Sequence, residues 1–266
     1  SRLGSFTGKE SIIGNYFYGF VLIFLAYFYS KFPNKKYLNL FLAFSLIGIS
    51  FLIGERSNFI KTFIIIILFS FLVYDIKFKF KLLSILLIFI VGLSFLNFNK
   101  QYKTRYINQL SEIYKLNGIK QFLKNSQYGA HYNVAYEIFK RNPVFGIGIK
   151  NFRIESFKKD YNNLEHSRND IRGATHPHQI HYEFLSETGL FGYVSFLLFI
   201  FLSLYYSIKS YFNEKNIYQL AGILFVISSL VPILPSGSFF STYTSSIFWI
   251  NYSIMVAYIN IKNIKF

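Results

Sequence analysis

The residues best suited to chemistry are gathered in one stretch, Thr175-His176-Pro177-His178-Gln179-Ile180-His181-Tyr182-Glu183-Phe184-Leu185-Ser186-Glu187-Thr188-Gly189. Three imidazoles and two carboxylates stand immediately before a long apolar run that begins near Leu190. Imidazole titrates near neutral pH, so His178 could serve as a general base toward a hydroxyl; the competing reading is an interfacial histidine making ordinary hydrogen bonds. His176, His178 and His181 could instead ligate zinc together with Glu183 or Glu187, although the spacing is not the His-Glu-x-x-His of helix-borne zinc proteases. Glu183 and Glu187 are one helical turn apart and would point the same way. A glycosidase pair must flank the bond from opposite sides, so orienting the histidines or capping neighbouring groups is the simpler role.

A second anchor is Arg56, in the short turn Gly54-Glu55-Arg56-Ser57-Asn58 between two apolar runs. A guanidinium there suits a diphosphate, which its planar fork can hold bidentately; the alternative is neutralisation by Glu55. Arg141, Arg153, Arg168 and Arg172 add further cations, and Arg153 stands out because Gly146-x-Gly148 precedes it and permits close backbone approach.

The elements that must position these groups are membrane spans. Apolar residues make up 53 % of the 266 residues, aromatics 21 % and charged residues only 15 %, so the chain has too little polar surface for a soluble domain. The net charge of +16 arises largely from lysines clustered between apolar runs, as for segments facing anionic lipid, and not from a nucleic-acid-binding stripe. With no cysteine, disulfides and thiolate sites are excluded. The chain begins at Ser1 without a signal segment, and the expectation is a fragment that lacks earlier spans.

Seven runs approach the roughly 17–25 residues needed to span hydrocarbon as helices. They lie near Tyr16–Phe32, Tyr37–Ile53, Phe59–Tyr74, Leu82–Phe98, Leu190–Ile208, Ile217–Leu234 and Ser246–Ile261. Lys31, Lys35 and Lys36, then Lys77, Lys79 and Lys81, then Lys209 and Lys215, then Lys262 and Lys265 all fall in connections on one side of a seven-span topology. Of the alternate connections, Gly54–Asn58 holds only Arg56 and Pro235–Ser245 no basic residue; the large loop is itself basic, but long loops translocate largely regardless of charge. The basic side is therefore expected to be cytoplasmic, and the Arg56 turn and the large loop Asn99–Gly189 to face outward.

Within that loop, apolar residues Ile107, Leu110, Ile113 and Leu116 suggest a helix over Thr104–Lys124 interrupted at Asn117-Gly118. A second helix is expected over Ala130–Arg141, stopped by Asn142-Pro143, and a third around Asn151–Tyr161. Asn162–Gly173 reads as polar and mobile. Thr175 and Pro177 suggest a helix starting at His178, with His178, His181 and Tyr182 on one face and a break at Gly189.

His178-Gln179, nine residues, then Gly189-Leu190-Phe191-Gly192 resembles the signature of the O-antigen ligase and O-antigen polymerase family of bacterial membrane glycosyltransferases. Further similarity lies in Arg2-Leu3-Gly4-Ser5-Phe6 with Gly14, Gly54-Glu55-Arg56, Asn142-Pro143-Val144-Phe145-Gly146-Ile147-Gly148 followed by Asn151-Phe152-Arg153, Pro235-Ser236-Gly237-Ser238-Phe239-Phe240, and Trp249. The resemblance implies the C-terminal portion of an all-α integral membrane protein of about seven transmembrane helices, forming a single membrane domain over 1–266 with a periplasmic loop subdomain over 99–189. It implies metal-independent transfer of glycan from an undecaprenyl-diphosphate carrier to an acceptor hydroxyl at the periplasmic face of the inner membrane. The acceptor would be lipid A-core or a second lipid-linked repeat. His178 would be the base and Arg56 the diphosphate ligand. Many ligases carry another phosphate-binding arginine at the start of the loop helix, where this chain has Tyr128, Gly129 and His131, so Arg153 or His131 is expected to substitute. His181, Gln179 and Glu187 complete the expected substrate-binding set; no cofactor and no nucleic acid are expected, only the lipid-linked donor, the glycan or glycolipid acceptor, and membrane lipid.

A transporter or flippase of the same lipid-linked oligosaccharide is the rival reading. Transporters tend to place polar groups at broken helices near the bilayer midplane, whereas here the cluster lies at one mouth.

Overall fold

The computed structural model describes residues 13–108, 111, 118–232 and 234–259. The Arg2–Phe6 motif, the residues Leu110, Ile113 and Leu116, and the terminal Lys262 and Lys265 lie outside them. Among the described residues all regular structure is helical: α1 (Ile13–Lys31), α2 (Lys36–Ile53), α3 (Arg56–Val73), α4 (Phe78–Phe98), α5 (Lys100–Lys103), α6 (Ile119–Asn125), α7 (Gln127–Arg141), α8 (Phe152–Glu155), α9 (Ile180–Glu214), α10 (Ile217–Ser229) and α11 (Thr242–Ala257), with a π turn at Thr104–Asn108 and two 3-10 turns.

Five helices, α1 to α4 and α9, are long and apolar enough to cross a membrane. The other two expected spans fold shorter. α10 has 13 residues and α11 has 16. At 1.5 Å per residue, α10 reaches only about 20 Å, against roughly 30 Å of hydrocarbon. The apolar run expected to continue to Leu234 is cut because Pro232 and Pro235 supply no N–H for a helical ladder.

The residues fall into two compact units. One takes in 13–108, 204–229 and 247–259; the other takes in 111, 118–203, 230–232 and 234–246.

In the first unit, α1 buries Tyr18, Leu22, Leu25 and Ala26 along one stripe, and α10 is buried along almost its whole length. Gly19 and Gly222 leave room for α11: a Cβ on Gly19 would stand 2.4 Å from Ile247 Cγ2, and one on Gly222 would stand 2.7 Å from the Asn251 carbonyl oxygen. Asn251 uses that closeness, its side-chain amide donating to Gly19 O at 2.9 Å. Small residues at helix crossings with a polar side chain bridging them are a common way to bind helices in lipid, where hydrophobicity gives no drive. Gly54, in the left-handed conformation, ends α2, and Arg56 opens α3 two residues later. Glu55 is buried, accepting from Gly14 N–H at 3.2 Å and from the Asn58 amide at 2.8 Å, which ties the turn to α1.

The second unit is built on α7. Ser126 caps it by accepting from Gly129 N–H, so the helix begins three residues before the expected Ala130. Val134, Ala135 and Ile138 on its inner face pack with Phe152 and Tyr161 into a small core. The expected third helix over Asn151–Tyr161 is reduced to the single turn of α8 and the 3-10 turn Lys159–Tyr161. Burial of Phe152 and Tyr161 in one core fixes that path more strongly than local propensity does. The segment read as mobile, Asn162–Gly173, is pinned instead. Arg172 donates to Lys158 O, Asn169 O and Asn162 Oδ1, and a His166 ring nitrogen lies 3.1 Å from Leu123 O.

Candidate functional site

The helix expected to start at His178 starts at Ile180. Gln179, not Thr175, caps it: its Oε1 accepts from His181 N–H at 2.7 Å and Tyr182 N–H at 3.1 Å. The Gln179 amide donates to Pro232 O, leaving the side chain 2 % exposed and fully engaged. Thr175 bonds the neighbouring His176 ring instead. His178 therefore lies outside the helix and does not share a face with His181 and Tyr182. It adopts φ of +60°, a left-handed conformation that a β-carbon disfavours. Its carbonyl oxygen accepts from the Ser236 N–H at 2.9 Å, which locks the outlier.

The side chain of His178 is packed among rings. His176 lies 4.0 Å away between centroids, His131 5.3 Å and Tyr128 5.7 Å. Among the described residues no hydrogen bond engages its ring nitrogens. Burial pushes the imidazole down to about 3, and the neighbouring His176 and His131 add to the shift. His176 is pushed down to about 4, chiefly by burial, and His131 is lowered by burial as well. At neutral pH the cluster is thus uncharged. His131 is 1 % exposed; its Nδ1 lies 2.9 Å from Arg172 O, so that nitrogen carries the proton, and its Nε2 is buried without a partner among the described residues. The first turn of α7 brings His131 and Tyr128 to this place. Nothing in the sequence signals that the rings of His131 and His178, 47 positions apart, meet.

The other residues expected at the site hold the scaffold. His181 lies 2.8 Å from Leu230 O through Nε2 and 3.0 Å from the Tyr193 hydroxyl through Nδ1, so both ring nitrogens are satisfied in the Nε2–H tautomer. Glu187 is 1 % exposed, and its two oxygens accept from Lys150 N–H at 2.6 Å and Phe152 N–H at 3.0 Å. Glu183 does the same for the other loop, accepting from the Ser238 hydroxyl and from Phe239 N–H at 2.7 Å. The two carboxylates of α9 therefore hang the loops Asn142–Phe152 and Pro235–Phe240 from one helix.

Gly189 and Gly146 make this suspension possible. Gly189 interrupts α9 with φ of +66°, as its sequence position suggests, and a Cβ there would sit 2.3 Å from Val144 O. A Cβ on Gly146, also at φ +66°, would meet Glu187 C at 2.5 Å. Only glycine meets both the dihedral and the space requirement. Arg153 follows on α8, exposed, and its charge is felt at His176. Arg141, Arg168 and Arg172 are engaged by protein. Arg141 lies over the Tyr161 ring and near Asp160, Arg168 near Asp170, and Arg172 on the carbonyls given above. Arg56 belongs to the first unit, where it is half-buried at the start of α3. Among the described residues, no group of three or more histidine, aspartate or glutamate side chains converges as a metal-ligand set.

A family model described as O-antigen ligase matches residues 40–197, more than half of the chain. No curated protein matches. The matched span contains the Gly54-Glu55-Arg56 turn, α7, the loop hung from Glu187, and the histidine cluster. The chain belongs to the O-antigen ligase family, as a multi-pass membrane protein of glycosyltransferase type.

Proposed function

We propose that the chain transfers O-antigen or a related glycan from an undecaprenyl-diphosphate carrier to an acceptor hydroxyl, at the periplasmic face of the inner membrane. The observation that carries the reading is His178: a neutral imidazole, its main chain held in a left-handed conformation, its ring nitrogens not engaged by described protein groups. In this scheme the acceptor O–H gives its proton to His178 as the oxygen attacks the anomeric carbon of the donor sugar. The bond from that carbon to the diphosphate breaks, and the lipid diphosphate leaves with the electron pair. A general base of this kind contributes roughly 10²–10⁴ in rate.

Arg56 is assigned to the diphosphate, whose charge is present in the ground state and grows on departure. Arg153 is assigned to the second phosphate contact; His131, beside His178 near the start of α7 and with its ring proton committed to Arg172 O, is assigned to packing the base. His181, Gln179 and Glu187 are assigned to positioning: each is saturated by the scaffold it holds. Once cations stabilise the leaving group the step balances with one base, and no metal is required.

The test is reconstitution of the full-length protein with lipid-diphosphate-linked glycan and two acceptors, a lipid A-core glycolipid and a second lipid-linked repeat. Product on either supports transfer and tells ligase from polymerase. Movement of intact donor across the bilayer without a new glycosidic bond would favour the transporter reading.

A further inference from the structure

The loop hung from Glu187 buries Phe152 completely yet leaves other large apolar side chains in the open. Val144 is 56 % exposed, Phe145 72 % and Ile149 57 %. Across the kink of α9, Leu190 and Phe191 are also exposed, and Phe145 meets Phe191 edge-on with centroids 5.9 Å apart. A contiguous exposed apolar patch calls for an occupant.

The main chain says which. Leu190 N–H donates to Pro143 O at 2.7 Å and Phe191 N–H to Val144 O at 3.1 Å, so the loop is fixed to the residues just past the kink. Hydrogen-bonded chains lie roughly 5 Å apart. Leu190 is also where the apolar segment of α9 begins. Counting back the about 20 residues a span requires from Lys209, the first charge that segment meets, reaches Gly189. Val144 and Phe145 therefore stand at the depth where α9 enters the membrane, and the patch is continuous with a surface already committed to lipid. Exposed Lys150 and Lys159, near in sequence, give this region the mixed apolar and basic character of a segment lying at an anionic headgroup boundary.

We propose that Val144 and Phe145, with Leu190 and Phe191, form a wedge inserted into the headgroup–acyl boundary of the bilayer. The wedge seats the loop that carries Arg153 at a fixed height above the lipid. The occupant is membrane lipid of the bilayer that α9 itself crosses, and neither a second copy of the chain nor a soluble partner is needed. This inference stands apart from the transfer chemistry, since it concerns only where the loop lies.

The chain has no cysteine, so single spin labels can be placed in the full chain at Phe145→Cys, at Asn163→Cys as an exposed aqueous reference, and at Leu198→Cys as an exposed reference within α9. In vesicles of mixed phosphatidylcholine and phosphatidylglycerol, collision rates with oxygen and with a water-soluble nickel chelate report the surroundings of each label. The proposal expects an oxygen-to-nickel ratio at 145 several-fold above that at 163 and below that at 198. A ratio equal to that at 163 places the residue in water and overturns it. Protection from both reagents places protein over the residue and also overturns it. Should Phe145→Cys fail to insert, Phe145→Trp in a Trp249→Phe background gives a second reading. Quenching by bromine on the upper acyl chain is expected, and emission unaffected by brominated lipid overturns the proposal.

Discussion

The main-chain N–H of Ser236 donates to the carbonyl oxygen of His178 at 2.9 Å, joining a histidine at φ +60° to the loop Pro235–Phe240. A left-handed non-glycine residue costs about 1–3 kcal/mol, and a single net hydrogen bond returns only about 0.5–1.5 kcal/mol. The conformation is held by more than that bond: Gln179 caps the next helix and grips Pro232, and Glu183 holds Ser238 and Phe239. Removing any of these supports should loosen the imidazole without touching it.

Glu187→Gln offers the sharpest view of that scaffold. The amide keeps one acceptor oxygen but turns an NH₂ toward Lys150 N–H or Phe152 N–H, both of which the carboxylate accepts. An unsatisfied buried donor costs about 1–3 kcal/mol, so thermal unfolding in detergent should occur several degrees lower and turnover should fall. Donor affinity should change little. Unaltered thermal stability with weakened donor binding would instead make Glu187 a ligand-binding group.

The pH profile follows from the depressed histidines. A free imidazole titrates near 6.5, whereas burial holds His178 near 3 and His176 near 4 in the folded chain. Between those values and 6.5 these two histidines bind more protons in the unfolded chain than in the folded one, so their contribution to stability should fall as pH drops through this window and be constant above it. The acid limb of kcat/KM, which reports the free enzyme, should accordingly lie below pH 6.5. A limb at or above the ordinary histidine value would show His178 to be solvated.

Arg56→Ala should weaken donor binding and turnover together, because the diphosphate is charged before and during departure. Arg56→Lys should recover part of both, since an ammonium keeps the charge and loses the bidentate fork. Equilibrium binding of a lipid diphosphate and single-turnover rates are the measurements. Wild-type values for both in Arg56→Ala would confine that residue to opening α3.

Orientation is open to direct labelling. With an impermeant thiol reagent on intact spheroplasts, Asn163→Cys should react and Lys79→Cys should not, as the distribution of lysines predicts. The reverse pattern would turn the chain over in the membrane.

Some of this was legible from composition and spacing, and some was not. The apolar runs marked α1 to α4 to within a few residues, and Gly189 marked the break in α9, because glycine at that place has few other uses. Residues 217–234 misled: hydropathy does not distinguish lipid-facing from protein-facing apolar residues, and α10 is short and buried among its neighbours. The start of α9 misled too. Thr175 and Pro177 match a helix entry, but the cap is the long-armed Gln179, a type with low local preference for that role. The ring contact of His131 with His178 had no sequence signal, because it depends on how α7 packs.

The central claim, that His178 takes the acceptor proton, is tested most directly by single-turnover transfer in His178→Ala, with donor affinity measured on the same preparation. The account predicts a rate lower by roughly 10²–10⁴ with donor affinity preserved, in protein that inserts and unfolds like the parent. Single-turnover transfer at the parent rate in His178→Ala would contradict it.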